Sequence, residues 1–440
     1  MQRLALTTLE RWQQAAEHLP LLIRGARQVG KTWLVREHAK SYANFVEINL
    51  ESDPEYISIF KENFGKTNEL VNALTLLSGK KIEGGKTLLF IDEIQQSKEA
   101  LLALRYLKEK LPELHVIAAG SLLEFAFADL SFPVGRIEFF HLFPMNFEEY
   151  LMARGRDDLI AAILAADEKK PLVDAVHQKL VDEVTCYCLT GGLPAAVAAY
   201  VQTGDFGDCQ NIQQRLVASF REDFHKYASK TNIEHLRIIF NDIPRQIGQK
   251  FKYSAVDPQL RSRDLSAALG LLEMAGLAYK AHHSSANGLP LGAQIQQKKF
   301  KVFFLDIGLA HRILGLNLSQ LYLERRELLA NRGAMAEQFV AQELLSHTSL
   351  NQSPQIYYWH RETKSAQAEV DLLYEYQSAV LPIEVKSGTR GHLKSLQIFL
   401  TEKEKFVKKA IKVSAAPFAK DGIIYSLPFY ALLKLERGLL

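Results

Sequence analysis

The sequence predicts an α/β protein whose first 150 residues fold around a parallel sheet covered by helices on both faces. Three observations predict it. Short apolar runs alternate with helical patterns over residues 21–141. The run Thr87-Leu88-Leu89-Phe90-Ile91 is almost unbroken apolar, as a strand buried on both faces must be. A glycine-rich turn, Gly25-Ala26-Arg27-Gln28-Val29-Gly30-Lys31-Thr32, joins the first apolar run to a helical pattern. Parallel strands need crossovers, and helices supply them. Strands are expected at 21–24, 45–49, 88–91, 115–119 and 136–141, with helices between them, for example at 101–111.

The glycine-rich turn reads G-x-x-x-x-G-K-T and sits between a strand and a helix, the context that makes this pattern a P-loop. Its glycines let backbone N–H groups wrap a phosphate chain, and the helix N-terminus adds the positive end of its dipole. Gly25, Ala26, Arg27, Gln28, Val29, Gly30, Lys31 and Thr32 are therefore the expected ATP-binding residues. Lys31 would reach the β- and γ-phosphates, and the Thr32 hydroxyl would ligate Mg²⁺. The run 87–91 ends in Asp92-Glu93, at the strand end where ligands of open α/β sheets bind. Asp92 is expected to hold Mg²⁺ and Glu93 to act as general base on the attacking water. Ser121 follows the fourth strand, where a polar side chain can sense the γ-phosphate, and Arg136 is expected near the same sheet edge.

The bulk numbers bound the rest. At 440 residues the chain is expected to hold two or three domains. Charged residues make up 23% and the net charge is only +3, so any nucleic-acid surface must be local. Cys186, Cys188 and Cys209 form no C-x-x-C pair and read as reduced core thiols. The first ten residues lack a signal-peptide apolar segment, and no apolar run approaches the roughly 20 residues that span a bilayer. The expectation is a cytoplasmic protein with no membrane partner.

From 148 to 221 the pattern is helical, broken at Leu189-Thr190-Gly191-Gly192-Leu193-Pro194. A Gly-Gly-x-Pro break ends one helix and starts another. Residues 230–310 read as winged-helix-like, with helices at 235–247 and 265–274, the second capped by Asp264, and strands at 277–279 and 300–304. Basic residues Arg245, Lys250, Lys252, Arg261 and Arg263 lie between these helices. DNA contact and domain coupling are both open readings of them.

The C-terminal part carries a second constellation. Asp371 opens one expected strand, and Pro382-Ile383-Glu384-Val385-Lys386-Ser387-Gly388 forms most of the next. Residues i and i+2 of a strand share a face, so Glu384 and Lys386 project together and Asp371 can meet Glu384 across the ladder. Asp371 and Glu384 would bind Mg²⁺ or Mn²⁺, and Lys386 would orient or activate water. Residues 386–412 hold eight basic residues against two acidic ones, a pattern that could track a phosphate backbone.

The runs Gly25–Thr32, Phe90-Ile91-Asp92-Glu93-Ile94-Gln95, Gly120-Ser121-Leu122-Leu123, Gly135-Arg136 and 142–150 resemble bacterial AAA+-like P-loop ATPases joined to a C-terminal restriction-endonuclease-like domain of unknown function. The Asp371…Glu384-Val385-Lys386 pattern resembles the PD-(D/E)xK nuclease superfamily, although Val370 stands where a proline usually precedes the first acid. The resemblance implies that Ser121 is a first sensor, that Arg136 stabilises charge on the transferring phosphate, and that Glu337 completes the metal site from a helix, with Gln397 a weaker candidate. It implies that the Gly-Gly-x-Pro break belongs to a helical lid over the nucleotide. The expected domains are a P-loop core at 1–150, the lid at 151–228, the winged-helix-like region at 229–312 and the nuclease-like domain at 313–440. ATP, nucleic acid (DNA above RNA) and a second copy of the chain are the expected partners. Two functions follow: an ATPase coupled to a metal-dependent nuclease, or a signalling or scaffolding ATPase whose C-terminal domain binds without cutting.

Overall fold

The structure, a computed structural model, describes residues 2–121, 123, 135–227, 232–317, 333–347, 350–361, 367–388 and 393–439. Leu122 and Arg390, the latter within the basic stretch 386–412, lie outside them.

The first sheet has five parallel strands: β1 (Leu21–Arg24), β2 (Asn44–Asn49), β3 (Thr87–Asp92), β4 (His115–Ala119) and β5 (Glu138–His141), in the order β2-β3-β4-β1-β5. The strand alternation sends side chains to two separate cores. Leu21, Ile23, Leu88, Phe90, Ile117 and Ala119 face one, while Leu22, Leu89, Ile91 and Ala118 face the other. Helices α1 (Ala5–Gln14) and α2 (Lys31–His38) cover the first face. Helices α3 (Glu55–Glu62), α4 (Thr67–Ser78) and α5 (Lys98–Lys110) cover the second. Two-sided burial is why β3 reads as continuous hydrophobic sequence.

A helical region follows as α6 (Phe147–Ala153), α7 (Asp157–Ala165), α8 (Asp174–Thr190), α9 (Pro194–Thr203) and α10 (Phe206–Asp223). Asn146 starts α6 with a capping box closed by Glu149. Pro194 sits in the first turn of α9, as its fixed φ allows. The middle region contains α11 (Ile233–Gln246), α12 (Tyr253–Val256) and α13 (Ser262–Met274), the hairpin β6 (Ala278–Ser284) and β7 (Ile295–Phe304), and α14 (Ile307–Ile313). Asp264 does not cap α13: the helix begins at Ser262, which places Asp264 in its first turn, where it still complements the dipole.

The C-terminal part contains α15 (Gly333–Ser346), β8 (Ile356–Arg361), β9 (Ala368–Tyr376), β10 (Ala379–Val385), α16 (Lys394–Glu402), β11 (Ala410–Ser414), β12 (Ala419–Asp421), β13 (Ile424–Pro428) and α17 (Leu433–Glu436). Its sheet runs β12-β13-β11-β10-β9-β8-β6-β7, so the middle hairpin is one edge of the C-terminal sheet, joined by parallel pairing of β6 with β8. Strands β9 and β10 form the expected antiparallel hairpin, with Leu372 opposite Ile383. Helix α15 is buried along nearly its whole length. No helix among the described residues is long and apolar enough to cross a membrane.

Candidate nucleotide site and C-terminal acid cluster

Gly25 leaves β1 with φ +144°, and a Cβ there would stand 2.2 Å from the Leu142 carbonyl oxygen. Only glycine lets the chain turn this close to the strand beside it. The loop ends at Gly30, which caps α2 in the left-handed region. Lys31 is buried, and its Nζ donates to the carbonyls of Gly25 at 3.0 Å and Ala26 at 2.9 Å. Burial lowers its ammonium to about 8, against the upward pull of Glu93 and Asp92. The Thr32 hydroxyl donates to Asp92 Oδ2 at 2.7 Å, across the intervening β4. Asp92 Oδ1 accepts the Glu93 N–H at 3.0 Å, and Gln95 Nε2 donates to Glu93 Oε2 at 2.5 Å. The residues from 25 to 32 and the acids 92 and 93 therefore meet at one end of the sheet. A loop with a bare, tight entry, a buried ammonium and an adjacent hydroxyl–carboxylate pair fits a phosphate chain with a divalent cation.

Three features of this site were invisible to the motif. Arg3, buried under the loop, donates to the Val29 carbonyl at 2.8 Å, to the Phe143 carbonyl at 2.8 Å and to Glu149 at 3.0 Å. Arg27 Nη1 meets Asp223, the last residue of α10, at 2.6 Å. Gln95 holds Glu93. Sequence spacing gives no sign of the first two, because Arg3 with Phe143 and Glu149, and Arg27 with Asp223, pair residues more than a hundred positions apart. Gln95 lies in the quoted run 90–95 and could have been found there.

Ser121 lies two residues past the end of β4, at the same sheet end as the loop. With Gly25 and Gly120 it lines a cavity of about 600 Å³ whose other wall includes Glu273, Tyr279 and Lys280 of the middle region. Arg136 is a correction. It precedes β5, whose first residue pairs with Leu21 at the start of β1, so it stands at the sheet end opposite the loop. Its half-exposed guanidinium lies 3.8 Å from Glu109. A parallel sheet puts the residue before a strand and the loop after its neighbour at opposite ends, which the expectation overlooked.

In the C-terminal sheet Asp371 Oδ2 accepts the Val385 N–H at 2.8 Å, and Lys386 Nζ meets Glu384 Oε1 at 2.5 Å. Lys386 lies one residue past the end of β10. Glu384 is buried, its Oε2 has no hydrogen-bond partner among the described residues, and burial with the nearby Asp371 pushes its carboxyl up to about 7. Glu337 comes from α15 as expected, but it faces a lysine that sequence reasoning missed. Lys301 of β7, fully buried, stands 2.9 Å from Glu337 Oε2 and 2.6 Å from Glu369 Oε1. Glu337, Asp371 and Glu369 hold it cationic in spite of burial. Among the described residues no group of three or more His, Cys, Asp or Glu is placed to hold a metal ion. Beside the acids expected to form a metal set, Glu337, Asp371 and Glu384, stand two lysines, Lys301 at Glu337 and Lys386 at Glu384. Gln397 lies on α16. The three cysteines are buried free thiols.

With this geometry in place, comparison with known families is direct. Residues 17–151 match a family model described as an AAA domain. That match spans the 25–32 loop and the acids 92 and 93. Residues 181–320 and 332–430 match two models, each described as a domain of unknown function (DUF8612 and DUF4143). No curated protein matches the chain. Among solved structures, the Walker-type ATPase PABY2304 of Pyrococcus abyssi is 17% identical, with 70% of this chain and 94% of that one covered and a TM-score of 0.44. The RuvB Holliday junction branch migration motor of Thermotoga maritima is 16% identical over 63% of this chain and 87% of its own, with a TM-score of 0.29. The Orc1 protein of Aeropyrum pernix, solved in complex with DNA, is 13% identical over 73% and 91%, with a TM-score of 0.27.

Proposed function

We propose that this chain binds and hydrolyses ATP at the 25–32 loop and that the hydrolysis cycle governs nucleic-acid binding, DNA above RNA, by its C-terminal domain. The observation that carries the first half is the Thr32–Asp92 hydrogen bond beside the buried Lys31. ATP with Mg²⁺, when bound, supplies the γ-phosphoryl group and the cation that offsets its charge. Lys31 exchanges two loop carbonyls for phosphate oxygens. Thr32 and Asp92 are the residues that would hold the cation. Glu93 takes the proton of the attacking water, and Gln95 keeps that carboxylate from turning away. Ser121 senses the phosphate from the end of β4. Arg136 has no part in this within one chain.

The basic stretch 386–412 supports nucleic-acid binding. Lys301, seated between Glu337 and Glu369, favours binding without cleavage. One observation favours the other reading, metal-dependent phosphodiester hydrolysis: Glu384 Oε2 is buried beside Asp371 and unpartnered among the described residues, which suits a divalent cation held by those two residues with Lys386 at the water. Calorimetric titration with Mg·ATP tests the main reading. The wild type is expected to bind with an affinity that Lys31→Ala abolishes or strongly weakens. Equal binding by both would remove the loop from the account.

A further inference from the structure

The helical region breaks between α8 and α9 at Gly191-Gly192-Leu193, and this break is held from two sides. On one side stands Asp306, which caps α14. Its Oδ2 accepts the Gly192 N–H at 2.6 Å and its Oδ1 accepts the Leu309 N–H at 2.9 Å. A Cβ on Gly191 would lie 2.2 Å from Asp306 Oδ1, so the carboxylate rests on bare backbone. On the other side the Gly192 carbonyl accepts the Met145 N–H at 2.6 Å. Pro194, two residues on, would stand 3.4 Å from a Cβ on Gly30, the cap of the P-loop helix.

Helix α15 braces both sides. Gln342 Oε1 accepts the Ile307 N–H at 2.9 Å, and its Nε2 donates to Tyr187 Oη at 2.8 Å. Tyr187 Oη in turn donates to the Met145 carbonyl at 2.7 Å. Asp306 is buried, and burial pushes its carboxyl up to about 6 against the N–H groups that favour the anion. The N–H groups of Gly192 and Leu309 and the Gln342 amide converge on it, and a carboxylate offers each an acceptor oxygen. A buried acid at this junction is costly, which points to a task beyond filling space.

We propose that Asp306 is a positioning residue for the nucleotide site: it fixes the Gly191–Gly192 break so that Pro194 rests against Gly30 and the P-loop is held in its triphosphate-receptive shape. This rests on the proposed function, since the ligand is ATP at that loop. Asp306 touches no reacting atom. It acts through the break, from an element outside both the P-loop domain and the helical region.

The test uses the full chain and measures Mg·ATP affinity, KM and kcat in wild type, Asp306→Ala, Asp306→Asn, Gly191→Ala, the double variant Gly191→Ala with Asp306→Ala, and Gly204→Ala. Gly204 also has a left-handed φ, at the far end of α9, with nothing within 4 Å, so it reports backbone strain alone. Asp306→Ala and Gly191→Ala are each expected to weaken ATP binding about tenfold with kcat changed less than about threefold. Asp306→Asn, keeping one acceptor, falls between. The double variant matches the worse single one, because both break the same contact. Gly204→Ala lowers the melting temperature but leaves affinity intact. Unchanged affinity in Asp306→Ala and Gly191→Ala, or a loss equalled in Gly204→Ala, overturns the positioning role. A wild type that binds no ATP overturns the proposed function and this inference with it.

Discussion

Lys301 Nζ stands between Glu337 Oε2 at 2.9 Å and Glu369 Oε1 at 2.6 Å, with no solvent exposure of its own side chain. A strand of the middle region thereby supplies the counter-charge for acids of the C-terminal region. Removing one partner of a buried ion pair leaves uncompensated charge, at a cost of about 3–5 kcal/mol. Lys301→Met is therefore expected to lower the unfolding free energy by about that amount, read by chemical denaturation. Added Mn²⁺ is expected to recover part of the loss in this variant, since a cation can replace the ammonium among the acids. A variant as stable as wild type would contradict the pairing.

Glu343 of α15 accepts the Phe147 N–H at 3.0 Å in full burial, and burial pushes its carboxyl up to about 8 from an ordinary 4.5. The folded chain thus holds a proton that the unfolded chain releases above 4.5. Its contribution is fully present below pH 4.5 and is lost as pH rises through 8. Glu343→Gln, neutral at every pH, is expected to flatten that decline in melting temperature between pH 5 and 8. An unchanged slope would remove Glu343 as its source.

Arg136 pairs with Glu109 near solvent at the sheet end away from the loop. Arg136→Ala is expected to change stability by less than about 1 kcal/mol, as surface pairs do. In a dilute sample of single chains, ATP turnover should stay within about twofold of wild type. A large fall in kcat under those conditions would return Arg136 to the chemistry.

Nucleic-acid binding carried by Lys394, Lys403, Lys405, Lys408, Lys409 and Lys412 should weaken steeply with salt, because phosphate contacts release counter-ions. Replacing Lys408 and Lys409 with alanine is expected to reduce the slope of log affinity against log salt by about 2. A salt-independent affinity would point to another surface.

Much of the first sheet was legible in the sequence for a plain reason. A strand buried on both faces reads as continuous apolar residues, and β1, β3 and β4 do so. The P-loop was legible because phosphate recognition by backbone needs glycine at fixed places. Strand order was not, and the error over Arg136 follows from that: which end of the sheet a residue occupies depends on chain direction, not on proximity in sequence. In the C-terminal region the spacing of Asp371 and Glu384 placed them on neighbouring strands, and a family resemblance drew attention to Glu337 on its helix. Lys301 was missed because β7 reads as a wing of the middle region, and nothing local reveals that its hairpin joins the C-terminal sheet. Arg3 and Asp306 were missed likewise, since Phe143 and Glu149 lie more than a hundred residues from the first and Gly192 more than a hundred from the second.

The most direct test of the central claim is steady-state ATP hydrolysis by wild type and by Glu93→Gln, with Mg·ATP affinity measured on the same samples. The account predicts that Glu93→Gln binds ATP as wild type does while its kcat falls at least about a hundredfold, because the amide cannot take a proton from water. Equal turnover by the two proteins would contradict it.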